Sequence, residues 1–147
     1  MTGYRRPFVD TAPFIYYLEK RPQFYEEARS FFSKCINGNM QAVRSAVTVE
    51  EYLVHPYREG RRDVIDNFYG FIGAVNIEIV EIDREIADRA AEIRARYPGF
   101  KGMDALQLAC AALSGCDVIL TNDRQLMQFA EVPCVMLADF GRSTEAD

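Results

Sequence analysis

The chain has 147 residues, 49% of them hydrophobic and 27% charged, with 17 Lys and Arg against 22 Asp and Glu for a formal net charge of −5. That length suits one compact domain with its own core, and that balance excludes a disordered or fibrous chain. The negative charge argues against a protein that coats nucleic acid through bulk electrostatics, but it leaves room for an enzyme that grips phosphates with a few local cations.

No stretch reaches the roughly 18 to 20 uninterrupted apolar residues that a membrane span needs. The start, Met1 to Asp10, carries two arginines and a proline but no apolar signal core. The expectation is a cytoplasmic protein with no membrane association. Cys35, Cys110, Cys116 and Cys134 form no C-x-x-C pair and His55 is the single histidine, so the ligand spacing of a structural zinc site is missing. Reduced core thiols are the expected state.

In chain order, Phe8-Val9 predicts a short first strand ending at Asp10, and Thr11-Ala12-Pro13 marks a helix start. Apolar residues recur at helical spacing over Phe14 to Leu18 and Tyr25 to Phe32, broken by Arg21-Pro22, with the second helix ending near Asn37-Gly38-Asn39. Gln41 to Val47 predicts a second strand, and Thr48 stands three residues before Glu51 as in a capping box, which predicts a third helix starting at Thr48 and stopping near His55-Pro56. A further helix is predicted from about Arg61 to Gly73. Alternation over Asn76 to Ile82 predicts a strand, and Asp83 caps a helix reaching Arg96 before Pro98-Gly99. Met103 to Leu113 reads as a buried, alanine-rich helix ending before Gly115; Asp117 to Thr121 as a buried strand, and Cys134 to Leu137 as a short last one.

Strands alternating with helices define an α/β three-layer sandwich with a central, mainly parallel sheet of about four or five strands and right-handed crossovers. Residues 1–140 form a single domain in this reading, and 141–147 a disordered tail.

In open parallel sheets, ligands bind at the carboxyl ends of strands near the point where strand order reverses. Asp10 closes the first strand, and Asp123 follows the strand Val118 to Leu120 through Thr121-Asn122. Asp104 lies in the first turn of the alanine-rich helix, where it is either a dipole-favoured cap acid or a paired or metal-bound one. Glu51 sits early in the third predicted helix, with Glu50 beside it as an equal candidate. Carboxylates packed together repel and raise one another's pKa, and a hard cation such as Mg²⁺ or Mn²⁺ relieves this through oxygen coordination. Such an ion can activate water for in-line attack on a phosphodiester without histidine or lysine.

Four segments, Phe8-Val9-Asp10-Thr11, Thr48-Val49-Glu50-Glu51-Tyr52-Leu53, Met103-Asp104-Ala105-Leu106-Gln107-Leu108-Ala109 and Ile119-Leu120-Thr121-Asn122-Asp123, resemble in order the motifs of the PIN-domain family, which includes the toxins of VapBC-type toxin–antitoxin pairs. The Thr-x-x-Glu spacing of the resemblance selects Glu51 over Glu50. The resemblance implies Asp10, Glu51, Asp104 and Asp123 as metal-site acids, with Thr11, Thr121 and Asn122 supporting them. It further implies a Mg²⁺- or Mn²⁺-dependent endoribonuclease with an RNA substrate, homodimerisation and, for toxin members, an antitoxin. Arg58, Arg61 and Arg62, in a segment resembling the family's variable helical insertion, and Lys101 are the candidate phosphate contacts; solvated helix ends are the plainer reading of each.

A PIN fold used as a catalytically weak module for binding RNA or a protein partner is the competing reading. Phosphoryl-transfer folds fit less well. A haloacid dehalogenase wants Asp-x-Asp where Asp10-Thr11-Ala12 stands, and a receiver wants a late lysine where none follows Lys101.

Overall fold

The structure is a computed structural model describing residues 3–140; the tail 141–147, expected to be disordered, lies outside the described residues. Along the chain run β1 (Pro7–Val9), α1 (Thr11–Leu18), α2 (Tyr25–Ile36), β2 (Val43–Ser45), α3 (Ala46–Arg58), α4 (Arg62–Val75) and β3 (Glu78–Val80). There follow α5 (Arg84–Arg96), α6 (Gly102–Leu113), β4 (Val118–Thr121), a 3₁₀ turn (Arg124–Gln128) and β5 (Cys134–Met136).

The five strands form one sheet in the order β3-β2-β1-β4-β5, with every neighbouring pair parallel. Two-residue alternation sends the side chains of each central strand to opposite faces. Val9 and Leu120 join the core formed with α1 to α4, where Phe14, Phe31, Phe32 and Phe68 are buried. Phe8 and Ile119 join the opposite core, with Ile86 and Ile93 of α5 and Leu108 of α6. The chain therefore moves outward from β1 to β3 with helices on one face, then returns to β4 with helices on the other. Reversing both direction and face keeps the crossovers of one hand, as the parallel sheet requires. The three-layer α/β prediction holds, with the sheet wholly parallel and five strands wide.

Local signals account for most boundaries. Asp83 caps α5, its side chain accepting from the Ile86 amide at 2.9 Å. After α6 the Cys116 amide bonds the Ala111 carbonyl and the Gly115 amide that of Ala112, with Gly115 at φ 71, the paired closure that a left-handed glycine permits.

The third predicted helix departs from expectation at both ends. Ser45 has the extended N-cap backbone and α3 starts directly at Ala46, so Thr48 lies inside the first turn and is no cap. Its hydroxyl bonds back to the Ser45 carbonyl at 2.6 Å. At the other end the helix runs through Pro56 to Arg58. Tyr52 stacked on Phe68 at 4.7 Å, with Leu53 and Pro56 buried, holds this turn against α4 and offsets the hydrogen bond that proline removes.

Cys35, Cys110 and Cys116 are buried and Cys134 half-buried, all as free thiols. Burial pushes the Cys35 and Cys116 thiols up to about 12 and those of Cys110 and Cys134 up to about 11, as inert core groups. Among the described residues no helix is long and apolar enough to cross a membrane.

Candidate active site

The strand order reverses between β1 and β4, and the crevice at their carboxyl ends is where a ligand of such a sheet binds. Asp10 stands at that point as the N-cap of α1. Its Oδ1 accepts from the Thr11 amide at 2.8 Å and its Oδ2 from the Thr121 hydroxyl at 2.8 Å. Both carboxylate oxygens are thus aimed by short bonds from two different elements.

Glu51 reaches the same place from the second turn of α3. The Thr11 hydroxyl donates to its Oε1 at 3.0 Å. The amide Nε2 of Gln107, on α6, donates to both acids, to Asp10 Oδ1 at 3.4 Å and to Glu51 Oε1 at 3.3 Å. Burial raises the Glu51 pKa most; the Thr11 hydrogen bond opposes that rise, the nearby Asp10 charge adds to it and Arg44 counters it. Two acids 41 positions apart in sequence are therefore held side by side by donors they share, with the proton affinity of one already increased.

Asp123 is tied to this pair through Thr121, whose hydroxyl oxygen accepts the Asp123 amide at 2.9 Å while donating to Asp10. The Asp123 carboxylate accepts from the Gln125 amide at 3.0 Å and caps the 3₁₀ turn. Asp104 lies one helical turn before Gln107 on the same side of α6, and its carboxylate accepts from the Lys101 amide at 3.3 Å. Among the described residues no three His, Cys, Asp or Glu side chains stand close enough together to share an ion. The structure brings Asp10 and Glu51 together and leaves Asp104 and Asp123 turned to their own helix starts.

Thr11 and Thr121 each donate a hydroxyl proton to one of these acids, Thr11 to Glu51 and Thr121 to Asp10. Asn122 donates to the Tyr16 hydroxyl at 3.5 Å. Arg61 forks onto Asp63 with bonds of 3.0 and 2.9 Å, and Arg62 pairs with Asp66 at 3.3 Å, so both are engaged by acids of their own helix. Arg58 is about 10 Å along α3 from Glu51 and lines a groove with Val54, Tyr57 and Tyr69. Lys101 is exposed at the N-cap of α6, beside Asp104. His55 is exposed and pairs with Glu59 at 3.0 Å.

Two residues the sequence reading passed over belong to the site: Gln107 and Arg44. Each carried a signal. Gln107 is a polar side chain in an apolar helix, and Arg44 is a cation in a strand that a parallel sheet buries on both faces.

The donors suit a hard cation. The pair Asp10 and Glu51 offers carboxylate oxygens in a partly buried crevice, and the amide oxygens Oε1 of Gln107 and Oδ1 of Asn122 are buried with no protein hydrogen-bond partner. Oxygen-only donors around crowded carboxylates fit Mg²⁺ or Mn²⁺ rather than zinc.

The sheet is wholly parallel, and Asp10 and Glu51 meet at its switch point, the edge at which α/β domains of this kind bind their ligands. The PIN domain family model matches residues 8–132, and the chain belongs to the PIN-domain family. Ribonuclease VapC23 of Mycobacterium tuberculosis is 29% identical over 119 residues, covering 81% of this chain and 94% of that protein. Among solved structures, VapBC2 from Rickettsia felis, bound to a DNA fragment from its promoter, superposes with a TM-score of 0.71 at 14% identity over 89% of this chain and 98% of that one. VapC20 of M. tuberculosis, described as a Sarcin-Ricin loop cleaving toxin, superposes with a TM-score of 0.65 at 17% identity over 86% and 98% of the two chains. At those identities the structural likeness is one of fold.

Proposed function

We propose that this PIN domain is a divalent-cation-dependent endoribonuclease and the toxin of a toxin–antitoxin pair, with Asp10, Glu51, Asp104 and Asp123 as the acids of its site. The observation that carries the reading is the convergence of Asp10 and Glu51, from β1 and α3, on the shared donors Thr11 and Gln107 at the sheet's switch point. Family membership and the likeness to a named ribonuclease support the activity.

Asp10 and Glu51 would hold Mg²⁺ or Mn²⁺ directly, and Asp104 and Asp123 would turn from the helix-start amides they now accept from. Those bonds, at 3.3 and 3.0 Å to single amides, are replaceable by a cation. When bound, the ion supplies an activated water and a counter-charge for the phosphodiester. The chain's own contribution is orientation: Thr121 and Thr11 fix the Asp10 oxygens, and Gln107 spans the two acids. No histidine takes part in this reading, in keeping with the exposure of His55 and its pairing with Glu59.

A protein partner is part of this reading. Several structural neighbours are toxin–antitoxin complexes, among them one from Klebsiella pneumoniae. An apolar groove of about 600 Å³ between α3 and α4, with Val54, Tyr57 and Tyr69 exposed along it, is surface that an antitoxin or a second copy of the chain would cover. Light scattering on the chain alone and with its co-expressed genetic neighbour checks this.

The decisive experiment is Mn²⁺ calorimetry on the wild type, Asp10→Asn and Asp104→Asn, followed by metal-dependent RNA cleavage. Binding by the wild type that drops at least about tenfold in each variant, about 1.4 kcal/mol, supports the site. Binding lost in Asp10→Asn but unchanged in Asp104→Asn reduces it to a pair. Absence of binding favours a PIN fold serving as a binding module for RNA or protein.

A further inference from the structure

Arg44 is the largest fully buried side chain among the described residues, with none of its surface exposed. Buried charge is expensive unless paired, yet the hydrogen bonds of Arg44 go to hydroxyls. Its Nε donates to Thr48 Oγ1 at 2.7 Å, its Nη2 to Thr11 Oγ1 at 3.4 Å, and its Nη1 is buried without a protein partner. The guanidinium carbon lies over the Phe14 ring, 3.7 Å from its centre. Burial pushes its pKa down to about 9, and the fields of Asp10 and Glu51 act against that fall.

Both hydroxyls lead to Glu51. Thr11, while accepting from Arg44, donates its proton to Glu51 Oε1 at 3.0 Å. Thr48, while accepting from Arg44, donates to the Ser45 carbonyl and so pins the first turn of α3, on which Glu51 follows three residues later on the same side. A hydroxyl has one proton to give, and the guanidinium, which can only donate, forces each threonine to send that proton onward.

We infer that Arg44 is a positioning residue for the acidic site: by imposing the rotamers and donor directions of Thr11 and Thr48, it fixes the side of Glu51 that faces Asp10. A plain strut would serve the core as well with an apolar side chain, and replacing buried ionic groups by apolar ones of similar size is often neutral or stabilising. The inference rests on the proposed role of the four acids only for its metal-binding consequence, because the rotamer effect belongs to the metal-free protein.

The test uses Arg44→Met, whose unbranched stem still covers Phe14, with Thr11→Val and the double variant. Threonine methyl NMR on the metal-free proteins reads the side-chain rotamers, Mn²⁺ calorimetry reads the site, and thermal unfolding reads the fold. In Arg44→Met the Thr48 and Thr11 rotamers are expected to average, while Mn²⁺ affinity falls about five- to tenfold with little change in Tm. Thr11→Val should lose no more than this factor, and the double variant no more than Arg44→Met alone, because removing Arg44 already releases the Thr11 route along with that through Thr48. Unchanged threonine rotamers, or losses that multiply in the double variant, overturn the inference. If Arg44→Met does not fold, Arg44→Lys keeps the charge and stem but cannot fork to two hydroxyls, and the same outcomes decide. A wild type that binds no Mn²⁺ overturns the metal reading, and the threonine rotamers then decide the role of Arg44 alone.

Discussion

Replacing Gln107 by leucine separates what holds the fold from what holds the site. The side chain is 7% exposed, its Nε2 spans Asp10 and Glu51 at 3.4 and 3.3 Å, and its Oε1 is buried without a protein partner. Bonds that long are weaker than the roughly 1.5 to 3 kcal/mol of a well-formed bond to a charged group; about 0.5 to 1 kcal/mol each is reasonable. Leucine of similar volume removes both bonds but also relieves the unpartnered oxygen, whose burial costs about 1 to 3 kcal/mol. The two effects offset, so Gln107→Leu should melt within about 4 °C of the wild type, the shift that about 1 kcal/mol gives in a domain of this size. The acids, by contrast, lose their shared donor and repel without it. Mn²⁺ affinity should fall roughly five- to tenfold, equivalent to about 1 to 1.4 kcal/mol. Calorimetry and thermal unfolding on the same preparation measure both quantities. A variant destabilised by more than about 2 kcal/mol that still binds Mn²⁺ like the wild type would refute the reasoning and make Gln107 a core strut.

Other expectations follow from single contacts. Asp83→Ala removes the cap on the Ile86 amide and should cost about 1 kcal/mol, with hydrogen exchange rising in the first turn of α5 and not in α6. Arg6 forks onto Glu78 at 3.0 and 2.9 Å and holds that carboxyl below its ordinary pKa. A lowered folded-state pKa contributes stability that is present above the unfolded value, near 4.3, and is lost as pH falls through the folded one. Glu78→Gln should therefore unfold more easily than the wild type at neutral pH, by roughly 0.2 to 1 kcal/mol for so exposed a pair, with the difference vanishing once pH has fallen below the folded-state value. A difference that persists in acid would point to packing rather than charge.

Much of this protein was legible in sequence because the signals are local. The apolar strand start Phe8-Val9, the apolar run Val118 to Leu120, the Asp83 cap and the Gly115 stop each act over a few residues, and the structure follows them. The resemblance to the PIN family was likewise readable, and the family model matches residues 8–132. The misplaced start of α3 shows where local reading fails. Thr48 has the chemistry of a cap, but Arg44 and the Ser45 carbonyl compete for its hydroxyl, and neither bond is visible without the fold.

Only the tertiary structure decided which groups share a neighbourhood. Strand order is a non-local choice, fixed by which faces bury together, and it alone sets Asp10 between β2 and β4 with Thr121 at 2.8 Å. The same packing turned Gln107 toward two carboxylates and sealed Arg44 on Phe14, since a side chain's environment is made by residues from other elements. Sequence alone placed Asp10 and Asp123 after strands of a parallel sheet and Glu51 and Asp104 early in helices, because those positions are set by local pattern. The fold determined that Asp10 and Glu51 touch through shared donors while Asp104 and Asp123 face their own helix starts, because backbone amides one turn away compete for a carboxylate wherever nothing stronger draws it off.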